Sequence, residues 1–165
     1  MKKGAWLFIV IVILWGNVSA AATSQVYSTW DTMELDKIAS FWLIKRFLDP
    51  AAAFRFYPQG TMEMEGVQVD TPTARYRRSH QAATFESLLK IHNLKDPALV
   101  YLGQVVRDVE INLWAAKKLP ESQGVDLIIR GVILASQNSQ ECLDRGFPVL
   151  DYLYRAIAAR NKVSP

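Results

Sequence analysis

The sequence predicts an α+β domain that is mostly helical, a single compact unit with one small antiparallel sheet near its N-terminus. Three observations carry this. Apolar residues recur at helical spacing over four long stretches between Met33 and the C-terminus. Short alternating segments between Ala53 and Arg78 are punctuated by Gly60 and Gly66. Cys142 is the single cysteine, so no intramolecular disulfide can form and the core must hold the fold. A chain of 165 residues is long enough for one such domain.

The first twenty residues read as a secretory signal peptide. Lys2 and Lys3 form the charged region, Ala5–Trp15 is an unbroken apolar run, and Val18-Ser19-Ala20 fits a small-residue cleavage site. The run is about half the ~20 residues that a membrane span needs. The mature protein is therefore expected in the periplasm or outside the cell, with no stable membrane span after cleavage. Without Lys2 and Lys3, 17 basic side chains face 16 acidic ones. That balance offers no basic face for nucleic acid. Residues 21–33 read as a small, polar, flexible lead-in to the folded domain at 34–160.

Asp31-x-x-Glu34 resembles a capping box, and the first helix is predicted from about Met33 to Leu48. Asp49-Pro50 stops it, because the residue before proline is pushed out of the helical region. "AFRFYP" (53–58), "VQVD" (67–70) and "ARYRR" (74–78) read as three strands. Thr84 is placed to cap "FESLLKIHN". Asp96-Pro97 is a strong start signal for a long helix to about Lys118. Residues 121–136 follow as a helix apolar on nearly every side, expected at the centre of the core. Ser139 is placed to cap a final helical segment that runs through "VLDYLYRAIAAR".

Charged residues on apolar elements are the candidates for chemistry. On the first helix Trp42, Lys45, Arg46 and Asp49 share one side. One reading is a helix edge where Arg46 pairs with Asp49 and lies on the indole. The other is a pocket wall where Lys45 and Arg46 hold an anion. "TARYRRSH" (73–80) concentrates Arg75, Arg77, Arg78 and His80, and guanidinium forks grip oxyanions in bidentate fashion. The same segment also reads as an edge strand protected by charge. Glu86, Glu110 and Glu121 are acids that could converge on a divalent metal ion, although their spacing fits no standard motif. For Glu110 a pairing with Arg130 is expected, since Arg130 interrupts an apolar helix. Asp108 is expected to face water. One cysteine and two histidines cannot close a four-ligand zinc site, and there is no GxSxG, P-loop, GxGxxG or HExxH. No catalytic residue and no cofactor are assigned.

The run "LDKIASFWLIKRFLDPAAAFRFYP" resembles the opening motif of the ChrB-type chromate-resistance family, also called chromate resistance exported proteins. The likeness continues through "ATFESLLKIHNLKDPAL" and "VVRDVEINLW" to "FPVLDYLYRAI", about residues 34–157. It singles out Asp36, Trp42, Arg46 and Asp49, with Lys45 where the family usually has arginine. Phe85, Glu86 and Glu121 match further family positions. The chain departs at Arg78, where the family commonly has histidine, and at Ala83, where it often has cysteine. What remains is an arginine-rich version of the same place. The resemblance implies a role in chromate resistance. Some members carry an additional N-terminal regulatory domain, and this chain looks like the stand-alone exported form. The expected ligand is a small tetrahedral oxyanion, bound without turnover by Trp42, Lys45, Arg46, Arg77, Arg78 and His80, with Asp36 and Asp49 as orienting carboxylates. A carboxylate-based metal protein and a protein-interaction module stand as alternatives.

Overall fold

The computed structural model describes residues 24–163. The expected signal peptide, and the first residues of the expected lead-in, lie outside them. Three strands, β1 (Val26–Trp30), β2 (Ala53–Tyr57) and β3 (Val67–Gln68), form a sheet in the order β2-β1-β3. Five helices follow the sequence: α1 (Leu35–Leu43), α2 (Thr84–Ile91), α3 (Pro97–Glu110), α4 (Ser122–Ala135) and α5 (Ser139–Val163). Among the described residues no helix is long and apolar enough to cross a membrane.

The sheet is parallel, not antiparallel. Val26 to Trp30 register with Ala53 to Tyr57, and Tyr27 and Ser28 with Val67 and Gln68. The central strand lies inside the segment expected to be a flexible lead-in. With β1 placed before α1, the helix becomes a crossover returning the chain to the same end of the sheet, which makes the β1–β2 pair parallel. The expected third strand at 74–78 does not form. Only a single bridge, Val69 to Tyr76, marks it, because Asp70 and the turn after it bend the chain away. Gly66, at φ +76°, is required: a Cβ there would lie 2.2 Å from the Val26 carbonyl oxygen.

α1 is the centre of the molecule. All nine of its residues are buried, including Asp36, Lys37 and Ser40, and it touches α2, α3, α4 and α5. Phe41 meets Phe54 edge-on at 4.6 Å, and Trp42 stacks over Phe85 at 6.4 Å. The helix expected at the centre, α4, lies on the surface instead and buries only Ser122, Val125 and Ile129. Its apolar composition signals something other than core.

Two of the helix starts, those of α1 and α2, are capped by distant residues. Glu34 precedes α1 but makes no side-chain cap; the Leu35 amide donates to Glu110 Oε1 at 3.0 Å. Thr84 begins α2 rather than capping it, and the Thr84 and Phe85 amides donate to Asp36 at 2.7 and 2.9 Å. Asp96 does cap α3, accepting from Ala98 and Leu99. α3 ends at Glu110, short of the expected Lys118. Lys117 folds back to donate to the carbonyls of Asp108, Val109 and Asn112, while buried Asp108 accepts the Lys118 and Leu119 amides and the Ser122 hydroxyl. Asp108 thus faces inward, and these bonds hold its carboxyl at about 2 against the effect of burial.

Candidate functional site

The end of α1 departs from regular helix. Ile44–Leu48 form a π-helical turn closed by the Asp49 amide donating to the Ile44 carbonyl at 2.7 Å. Such turns insert one extra residue and change the face that follows. Asp49 therefore does not pair with Arg46; its carboxylate accepts the Ala51 amide. The partner of Arg46 is Asp151 on α5. Arg46 grips it in a fork, Nε to Oδ1 at 3.0 Å and Nη2 to Oδ2 at 2.8 Å, and Trp42 Nε1 donates to the same Oδ1 at 2.8 Å. That fork holds Asp151 below the usual carboxylate range. Lys45 donates to the Ala52 carbonyl at 2.8 Å.

These residues open on a cleft of about 520 Å³. Lys45, Arg46 and Arg55 line it, with Asp144 as the one acid in the wall, and Phe54 and Phe147 beneath. The Arg46 guanidinium lies 5.7 Å from the Phe147 ring and Lys45 Nζ 6.0 Å from that of Phe54. Counting Asp151 behind Arg46, three cations face two carboxylates.

Arg78 lies elsewhere, in a carboxylate cluster. Its Nε and Nη2 reach Asp70 at 3.2 and 3.1 Å, Nη2 also binds Glu34 and lies 3.6 Å from Asp36, and Nη1 lies 3.8 Å from Glu110. The Thr84 hydroxyl donates to Asp70 at 2.6 Å. Burial, with Asp70 beside it, pushes Glu34 up to about 8 and Asp36 up to about 7. Burial also raises Glu110. It works the same way on Asp70, but there Arg78 and the Thr84 hydroxyl outweigh it and hold the group low. Lys37 is buried beside the cluster, donating to the Trp30 and Thr32 carbonyls, and burial lowers its pKa. The cleft above, about 490 Å³, is lined by Glu34, Lys37, Asp70, Arg77 and Arg78 among others. With Asp36 and Glu110 behind them, four carboxyls face three cations.

The raised carboxyls set a pH dependence. Glu34 and Asp36 titrate near 4 in the unfolded chain and near 8 and 7 in the fold. The folded state thus holds more protons between these limits, and stability falls as pH rises through that window. Asp70 and Asp108 are held low and contribute in the opposite sense, losing their stabilisation in acid below the ordinary carboxylate range. Thermal unfolding should therefore peak near pH 5 and decline toward about pH 8, and Glu34→Gln should flatten that decline. A midpoint that climbs steadily from pH 5 to 8 would contradict this arrangement.

The structure does not gather the six expected anion ligands. Trp42, Lys45 and Arg46 belong to the first cleft, though Trp42 is fully buried beneath it. Arg77 and Arg78 belong to the second. Exposed His80 lines a third, with Arg107 and Lys118. Of the two orienting carboxylates, Asp36 serves the α2 amides and Asp49 a local turn. The three candidate metal ligands are also apart. Glu86 faces Arg107 at 3.6 Å, Glu110 joins the Arg78 cluster, and Glu121 accepts from Tyr101 and Arg160. Glu110 does not meet Arg130, which lies on the surface paired with Asp126. Among the described residues no group of three or more His, Cys, Asp and Glu is arranged to hold a metal ion. Four contributors escape sequence reasoning: Arg55, Asp151, Glu34 and Asp70. Asp151 sits 105 residues from Arg46 on an ordinary amphipathic helix, so no local spacing announces it.

A family model described as "ChrB, C-terminal domain" matches residues 27–157. Among curated proteins, Protein ChrB of Cupriavidus metallidurans is 26% identical over 153 residues, covering 89% of this chain and 46% of that protein. The chain thus spans about half the length of the curated relative it matches. No solved structure matches.

Proposed function

Because the chain belongs to the ChrB C-terminal domain family, a chromate-resistance family, we propose that it binds a tetrahedral oxyanion of the chromate class, without turnover, in the cleft of Lys45, Arg46 and Arg55. The N-terminal segment would deliver the domain to the periplasm. The observation that carries the reading is the charge of that cleft. It combines three cations with one wall acid, and Asp151 takes up one fork of Arg46 while fixing its direction. In the other cleft the Arg78 guanidinium is already taken up by Asp70 and Glu34, which leaves it no open fork for a dianion. Charge-assisted hydrogen bonds of about 1.5–3 kcal/mol each make two or three cationic donors enough for useful affinity in an open site. Sulfate has the same charge and shape and should compete with chromate.

Thermal melts with chromate, sulfate, phosphate, divalent metals and EDTA test this. An oxyanion at 100 times its dissociation constant should add about 2.7 kcal/mol of stability, a shift of several degrees. The exposed Arg55 side chain makes, among the described residues, one hydrogen bond, to the Phe54 carbonyl. Arg55→Ala should therefore leave the unliganded midpoint unchanged and weaken oxyanion binding about tenfold. A shift produced by metals and reversed by EDTA would instead favour the carboxylates. An oxyanion shift retained in full by Arg55→Ala would remove this cleft from consideration.

A further inference from the structure

α4 presents an apolar face that nothing in the described chain covers. Leu127, Ile128 and Leu134 are 73%, 54% and 87% exposed, Leu127 and Leu134 on the side opposite buried Val125 and Ile129 and Ile128 at its flank. Gly124 and Gly131 lie on the same side, and a Cβ at either would meet nothing within 4 Å. Spacings of three and four residues make these five positions one continuous stripe along the helix. Scattered surface aliphatics need no explanation, but a stripe does. Each glycine costs about 1 kcal/mol relative to alanine in a helix interior, and among the described residues no contact uses the room they leave.

We propose that this stripe pairs antiparallel with α4 of a second copy of the chain, about a two-fold axis at the level of Ile128. The charges beside the stripe select this partner. Asp126 and Arg130 lie on one flank, bonded to each other at 2.8 Å, two residues either side of Ile128. The two-fold axis brings Asp126 of each copy opposite Arg130 of its partner. In a parallel pair the two-fold axis would turn this flank toward the opposite flank of the partner, and Asp126 and Arg130 would not face each other across it. Within one residue of register, the same operation matches Gly124 with Gly131 and Leu127 with Ile128, so the helices approach closely at the facing glycines and the aliphatic side chains pack on each other between them. Leu134 comes to the level of the start of α4 in the other copy. A face of balanced charge that is its own complement suits an isologous dimer. This inference does not depend on the oxyanion cleft.

Sedimentation of the protein over a concentration series tests it. The wild type should sediment as a dimer that dissociates on dilution, and Leu127→Glu as a monomer with an unchanged unfolding midpoint. Asp126→Arg and Arg130→Asp should each weaken self-association at least tenfold. An equimolar mixture of the two should restore the dimer, because every facing pair is then of opposite sign. A wild type that stays monomeric at high micromolar concentration would overturn the proposal. So would a dimer indifferent to Leu127→Glu, or a mixture that fails to re-form.

Discussion

Arg78→Met should lower the stability of the domain by about 3 kcal/mol. Breaking a buried ion pair by removing one partner costs about 3–5 kcal/mol, and the lower end applies because the Arg78 side chain is 32% exposed. The loss comes from the acids left behind. Asp70, Glu34, Asp36 and Glu110 share that guanidinium. Without it, each carboxyl is driven further toward its protonated form. The deficit should therefore be small near pH 5 and grow toward pH 8, as the unfolded state ionises and the folded state resists. Urea unfolding of the variant at both pH values checks this. A deficit independent of pH would mean that Arg78 acts by packing rather than by charge.

Asp36→Ala should be comparably damaging, at about 3 kcal/mol, for a different reason. Asp36 is wholly buried and accepts the first two amides of α2. Its removal leaves two buried donors unpaired, each costing about 1–3 kcal/mol, and detaches α2 from α1. Asp36→Asn keeps one acceptor oxygen and should recover part of the loss. Hydrogen exchange gives the local readout: protection should fall first in residues 84–91. If protection fell uniformly instead, Asp36 would be no more than a general contributor to the core.

The helical part of the fold was legible because it rests on periodicity and start signals. Asp96-Pro97 marks α3 from four adjacent residues, and the structure bonds it as the residues suggest. The sheet was misread because β1 is brief and polar, "VYSTW", so its pairing with β2 had no local sign. Without it, glycine-marked turns argue for hairpins. α4 was misread because apolarity reports a need for cover and does not say whose. The site was legible in residue type and illegible in grouping. Arg46 and Trp42 do form a unit, but the acid that unites them lies on α5. A π-helical turn, which no spacing rule anticipates, moves Asp49 out of reach. Arg78 is held by acids from three separate places in the chain, a juxtaposition that only tertiary structure reveals.

The bond from Trp42 to Asp151 spans 109 residues, and that separation governs when the domain can become whole. α1 is made early yet finishes its surroundings only when α5 arrives, since Trp42 also meets the Tyr154 ring at 5.8 Å. Long-range closure of this kind slows folding, because chain entropy is surrendered before the contacts that repay it exist. During synthesis the first two-thirds of the chain has no finished core to settle into. The surroundings of α1 become whole only once the last helix is in place.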